Sequence, residues 1–450
     1  MVKKRKPMRL SPIFNLMLGS LLLVCSLSAQ AQLVLESAEA CISHAQQNNL
    51  QLKSARRTAD AMSQAKTMQR ASLLPQLKAV STLDYYFSLP VQLIPAEVLG
   101  GEPGTYLEVS FGQPYALNLG VEASMPLINA SLWVGGQQAA MEVKAAALQL
   151  EHQQLNTAEV VARAYYLTLL SQQAVALAQS TKEANDSLMM QTKHQLQQGV
   201  IEPLEANRIR NLQLESSRNL EENKAVFANN LNRLKVLLGL EPQEELLLTE
   251  ALDPAQEMDK QELRFSYTAL PEYRLMETRV QSSKTNWQQE RSKRLPELSA
   301  YARYTRQAQR DAFNFTESGQ SWFNIGIVGL RLEWPLFTGL YRLASSRQAH
   351  LQWEAATLEM QYTASRLQQE QQELLTNYQQ SSRSLAFAQE AFSLGNQNYQ
   401  LAILKYNAGV LPLDGLINVY HEKIRAQNEL LKILADHLYY SVLITTRNTY

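Results

Sequence analysis

The sequence predicts a mixed fold: a helix–strand–strand–helix–helix unit that occurs twice, with strands of membrane-crossing length and helices too long for a globular domain. Three observations carry this. From Pro114 to Pro126 the residues alternate, with Tyr115, Leu117, Leu119, Val121, Ala123 and Met125 on one face and Ala116, Asn118, Gly120, Glu122 and Ser124 on the other. That is the period of a strand with one apolar and one polar side. After Pro126 the period becomes helical, with Leu148, Leu155, Ala162, Leu169 and Ala176 spaced by seven and no proline before Pro203. A helix of roughly 70 residues is about 100 Å long. Finally, landmarks recur: Leu74-Pro75-Gln76-Leu77 returns as Leu295-Pro296-Glu297-Leu298, and Pro203-Leu204-Glu205 as Pro412-Leu413-Asp414.

Taken in order, residues 1–31 read as a secretory signal. Five basic residues (Lys3, Lys4, Arg5, Lys6, Arg9) precede an apolar core from Ile13 to Leu27, and Ala29-Gln30-Ala31 places small residues where a signal peptidase reads, so cleavage is expected between Ala31 and Gln32. A lipid anchor on Cys25 is the weaker alternative, because Val24 before it is large for that chemistry. Without the leader, Cys41 is the one remaining cysteine, so no internal disulfide is expected. The leader also hides the charge balance: 42 basic and 42 acidic residues become 37 against 42, a net of −5, which argues against a nucleic-acid partner. A mean hydropathy of −0.27 argues against a bundle of membrane-spanning helices.

The first unit spans 32–240. A helix is predicted from Glu36 to Leu73, ended by Pro75, followed by strands at about 77–88 and 114–126. Between them Pro90, Pro95, Gly100, Gly101, Pro103, Gly104 and Gly112 mark a loop. The long helix, about 130–198, ends at Gly199 and the next starts at Pro203. Residues 241–265, with Pro242, Pro254 and an acidic bias, read as a linker packed outside the helices. The second unit, 266–450, repeats the pattern with strands at about 298–306 and 322–334 and a long helix at about 340–407 that ends at Gly409. It is shorter by twelve residues between its strands, where the first loop is longer. In the last strand Phe323, Ile325 and Ile327 have the wrong parity for Leu330, Leu332 and Trp334, so a bulge near Gly326 or Gly329 is expected.

Strands of about 10 residues with one apolar face suit a tilted membrane strand with lipid on one side and water on the other. Four strands cannot close a barrel, and open edges cannot face lipid, so a barrel would be shared between chains. A dimer would supply eight strands and a trimer twelve; periodicity does not choose.

The leader, the duplicated Leu-Pro-x-Leu strand entries, the x-Pro-Leu exits at Pro126 and Pro335, and the glycine-bearing tips at Gly199 and Gly409 together resemble the TolC family of outer-membrane efflux proteins over Gln32 to Tyr450. The resemblance implies a homotrimer: a twelve-stranded transmembrane β-barrel in outer-membrane lipid, continued by a twelve-helix periplasmic α-barrel. It implies a passive duct for efflux or type I secretion, partnered by a periplasmic adaptor (membrane fusion) protein and an inner-membrane pump. It also implies a periplasmic gate, with Tyr406 before the second tip, Glu205 after the first and Asp414 after the second. The tips Gly199, Val200, Gly409 and Val410 would meet the adaptor. Leu411 occupies the place where an arginine can brace such a gate, and Ile417 or Asn418 the place of a further acid. Read without the resemblance, Glu205 and Asp414 are favourable charges in the first turn of a helix.

Catalytic, cofactor and metal sites are not expected. The six histidines (44, 152, 194, 350, 421 and 437) fit no ligand pattern, and no phosphate-cradling glycine loop or nucleophile elbow is present. The rival reading is a periplasmic coiled-coil adaptor or scaffold, for which two amphipathic strand pairs have no use. The exported substrate is not encoded in any motif.

Overall fold

A computed structural model describes residues 33–249 and 266–449. The expected signal, with Cys25, and the expected cleavage point between Ala31 and Gln32 lie outside the described residues, as does most of the 241–265 linker. The elements are β1 (Leu33–Leu35), α1 (Ala38–Asn48), α2 (Leu50–Ala71), β2 (Gln76–Tyr85), β3 (Val91–Pro95), β4 (Tyr106–Ser110), β5 (Tyr115–Ile128), α3 (Ala130–Gln197), α4 (Pro203–Leu238), β6 (Leu246–Leu248), α5 (Pro271–Ser292), β7 (Glu297–Arg310), β8 (Phe323–Glu333), α6 (Tyr341–Asn407) and α7 (Leu413–Asn448).

The chain divides into two units. The strand unit, residues 54–153 and 265–372, is organised by an antiparallel sheet of order β2-β5-β7-β8. Its rows keep the two faces separate: Lys78 lies opposite Glu122, which lies opposite Arg303, which lies opposite Ile327. On that polar face Glu122 joins Lys78 at 2.9 Å and Arg303 at 2.6 Å. The other face carries Leu77, Leu83, Leu117, Leu119, Val121, Val328, Leu330 and Leu332, most of them exposed. An exposed apolar face of this extent needs a non-aqueous neighbour.

Within this unit the helix contacts follow the order of the strands. Gln69 of α2 donates to the Leu132 carbonyl of α3 at 2.9 Å, and Gln138 of α3 donates to Ser282 of α5 at 2.8 Å. Trp287 of α5 stacks on Trp353 of α6 at 5.5 Å, and Arg366 of α6 pairs with Glu272 of α5.

The second unit, described over residues 33–53, 154–249 and 373–449, holds three buried apolar clusters among those residues. In one, Leu35, Cys41, Ala45, Val161, Tyr165, Leu234, Leu238 and Leu246 bring α1 and the β1–β6 pair against α3 and α4. In another, Leu170 of α3, Leu385 of α6 and Leu434 and Leu438 of α7 are buried together; the third is described with the candidate site.

Four expectations are corrected. The helix expected from Glu36 to Leu73 breaks at Asn49, whose extended backbone ends α1 and whose side-chain Oδ1 accepts from the Gln51 and Leu52 amides to start α2. Its Nδ2 donates to the Leu237 carbonyl at 2.8 Å, so a long-range bond holds a cap that no proline or glycine signals. The Pro90–Gly112 loop contains the β3–β4 hairpin, closed at its base by Phe111 N–H donating to the Pro90 carbonyl. Leu246–Leu248, expected as part of a linker, pairs in parallel with Leu33–Leu35. No bulge interrupts β8: its register with β7 is continuous, and Val328 carries the apolar face on from Leu330. Phe323, Ile325 and Ile327 therefore sit on the polar face, beside Thr305 and Arg303. The bulge falls instead between Pro126 and Ile128 of β5, where proline has no amide to give the ladder.

Candidate functional site at the helical tips

Both hairpins of the helical unit turn in the same way. Gly199 and Gly409 have φ of 72° and 71°, a left-handed conformation that costs a side-chain-bearing residue about 1–2 kcal/mol. Val200 N–H donates to Gln195 and Gly199 N–H to Leu196; Val410 N–H donates to Lys405 and Gly409 N–H to Tyr406. These are two copies of one C-cap motif, which satisfies carbonyls that a helix end otherwise leaves bare. The second turn is one residue shorter. Pro203 is the first residue of α4, whereas Pro412 is the cap of α7, so the difference is absorbed at the helix start. Val200 and Val410 are exposed at the tips.

Beneath the tips all four helices share one core. Leu188 and Met189 of α3, Ile209 and Leu212 of α4, Tyr399 and Tyr406 of α6, and Leu413, Leu416 and Tyr420 of α7 are buried together. Tyr406 is 8% exposed, with its ring in that core, and its hydroxyl donates to Glu205 Oε1 at 3.0 Å. Burial and the Glu205 carboxylate push the phenol well above its ordinary pKa, so it stays a donor at physiological pH. Two of the three residues that the resemblance places at a gate are thus hydrogen-bonded across hairpins, although they lie 201 positions apart.

Asp414 is exposed and does not join them. Arg208, one turn along α4 from Glu205, donates to Asp414 Oδ1 at 2.5 Å. With side chains 47% and 73% exposed this pair contributes about 0–1 kcal/mol. Its larger effect is on charge, because Arg208 offsets the Asp414 carboxylate. Leu411, at the position of the absent bracing arginine, packs against the core. The sequence reading missed Arg208, whose partner belongs to the other hairpin.

It also missed a buried polar layer. Lys423 of α7 is 5% exposed, donates to Thr181 Oγ1 of α3 at 3.2 Å and lies 4.8 Å from the centre of the Tyr399 ring. Tyr399 in turn donates to Asn185 Oδ1 at 2.5 Å. Burial depresses the Lys423 pKa, raises that of Tyr399 strongly, and brings Tyr420 up to about 12. The signal was present in Thr181, Asn185 and Thr192, polar residues at core spacing along one helix.

No group of three or more His, Cys, Asp or Glu residues that could hold a metal ion occurs among the described residues. What the arrangement can do is hold two helical hairpins together at their tips by a small number of breakable polar contacts.

A family model described as Outer membrane efflux protein matches residues 41–240 and 271–413. Solved structures with the same fold include the Campylobacter jejuni CmeC outer membrane channel, 14% identical over 91% of this chain and 85% of that one, with a TM-score of 0.74. The Vibrio cholerae outer membrane protein VceC is 13% identical over 91% and 95%, at 0.72. The Neisseria gonorrhoeae MtrE outer membrane channel, in its open state, is 17% identical over 91% and 88%, at 0.71. No curated protein sequence matches the chain.

Proposed function

The chain belongs to the outer membrane efflux protein family, and from that premise we propose that three copies assemble into one duct, gated at the helical tips. The protein itself is an outer-membrane efflux channel, a transporter and not an enzyme. The carrying observation is the sheet. Its four strands have one apolar and one polar face, and β2 and β8 are unpaired edges. Lipid cannot satisfy those edges, so β8 of one copy pairs with β2 of the next until the ring closes. Three copies give twelve strands, and each strand continues into a helix of the periplasmic barrel. In that assembly Lys78, Glu122, Arg303 and Thr305 line a water-filled lumen, and the apolar face meets outer-membrane lipid.

The family implies a periplasmic adaptor and an inner-membrane pump as partners, and the tips Gly199–Val200 and Gly409–Val410 are the surfaces offered to the adaptor. Tyr406–Glu205 and Arg208–Asp414 hold the second hairpin against the first and keep the entrance narrow. Related folds include a channel described in an open state, which is consistent with a tip that changes shape. The whole chain is read as two repeats, 32–240 and 266–450, joined by an equatorial linker.

Insertion of purified protein into a planar bilayer tests the duct. Discrete conductance steps are expected. A protein that floats with vesicles yet never conducts, even with the tip contacts removed, would overturn the reading.

A further inference from the structure

The apolar face of the sheet is almost free of charge, and its two charges lie together. Taking alternate residues from Leu77 to Tyr85, Tyr115 to Met125, Leu298 to Arg310 and Asn324 to Leu332, none is acidic, and only Arg306 and Arg310 are ionised. Both stand at the end of β7 farthest from the helices. Their neighbour Arg303, on the polar face, is paired with Glu122. Arg306 and Arg310 instead meet aromatic rings: Arg306 lies 5.5 Å from the centre of Trp322 and Arg310 5.9 Å from that of Phe315. Arg306 is exposed. Arg310 is 8% exposed, donates to the carbonyls of Gln309 and Ser321, and leaves its buried Nε without a partner.

Strand length places these two residues in the membrane. At about 3.4 Å per residue and a tilt of about 40°, Arg306 lies about 21 Å above Leu298 along the membrane normal, close to the top of an apolar band about 25 Å tall. Arg310 is about 10 Å higher, at headgroup level. A guanidinium facing hydrocarbon is costly, whereas one at the interface finds phosphate, whose geometry its fork matches. Tryptophan beside it is the usual companion at that depth. The nearest acid along the loop, Asp311, forms no ion pair among the described residues, and Glu317 accepts from Asn314 and Gln320. β7 is flanked by β5 and β8 of its own chain, so a neighbouring copy joined at the sheet edges leaves this face open.

We infer that Arg306, walled by Trp322 and backed by the positive field of Arg310, binds the phosphate-bearing headgroup of an outer-leaflet lipid. The inference rests on the reading of the strands as membrane-spanning. Arg306 is exposed, so Arg306→Gln should fold normally. Full-length wild type and variant are reconstituted in vesicles of a phosphate-free galactolipid containing a small fraction of bisphosphorylated lipid A, floated, extracted gently and weighed by native mass spectrometry. Wild type is expected to retain the lipid, and Arg306→Gln to lower its occupancy about five-fold. Dephosphorylated lipid A should be retained weakly and equally by both. Equal occupancy in the two proteins, equal retention of the dephosphorylated lipid, or displacement by inorganic phosphate alone would overturn the proposal. If neither protein floats with the vesicles, the membrane reading fails and takes the proposal with it; if both float and occupancy does not differ, the headgroup site alone fails.

Discussion

Tyr406 donates its phenolic hydrogen to Glu205 at 3.0 Å, and this bond ties the last turn of α6 to the first turn of α4. A hydrogen bond to a charged acceptor contributes about 1.5–3 kcal/mol, toward the low end here because Glu205 is only half-buried. In the proposed trimer, three copies of this bond would bias a two-state entrance toward the closed form. Tyr406→Phe should raise single-channel conductance or the leakage of small antibiotics. Glu205→Gln should do the same, and the double variant should add little, since both remove one bond. Conductance unchanged in all three variants would place the latch elsewhere.

The tips should be sensitive to backbone freedom. Gly199 and Gly409 have open space where a side chain would project, so the penalty of an alanine is conformational and not steric. Gly199→Ala and Gly409→Ala should each cost about 1 kcal/mol and lower the thermal midpoint of the helical unit. Midpoints unchanged in both variants would contradict the assigned turn geometry.

Lys423 gives the helical unit an alkaline signature. Its folded pKa is below the unfolded value of about 10.4, so the unfolded chain holds more protons between the two, and stability rises with pH across that window. Tyr399, Tyr406 and Tyr420, with raised values, act oppositely only above about pH 10, where the unfolded tyrosines ionise. As pH approaches 10 from below, the stability of wild type should therefore increase, and that increase should shrink in Lys423→Met. Identical slopes, followed by the denaturation midpoint, would mean that the amine is hydrated.

The outer hairpin should be dispensable. Its base is pinned where Tyr86 N–H donates to the Pro114 carbonyl at 2.8 Å, so removing Val91–Ser110 leaves ends that a short turn can join. Loop-closure cost changes by about 0.6 kcal/mol per doubling of length. The deletion should leave assembly intact on unheated gels. Loss of the oligomer would show that the hairpin contributes to the subunit interface.

Where the sequence was legible, solvent had sorted the side chains. Leu77–Tyr85 and Tyr115–Met125 alternate because one face of the sheet is apolar and the other carries Lys78, Glu122 and Arg303. The tips were legible because only glycine readily takes φ near 70°. The failures share a cause as well. Phe323, Ile325 and Ile327 broke the alternation because a polar wall tolerates apolar residues, so parity there did not demand a bulge. Asn49, Arg208 and Lys423 each depend on a partner distant in sequence: Leu237, Asp414 and Thr181. A lysine among helical polar residues reads as solvent-exposed until the helix it faces is known.

The central claim is that edge strands too few to close alone are shared among three chains. Native mass spectrometry of the protein extracted from outer membranes tests this most directly, since it counts copies without assuming a strand register. The account predicts a single dominant species of three protomers that persists until the sheet is unfolded. A dominant dimer, which would close eight strands, or a monomer stable in detergent, would contradict it.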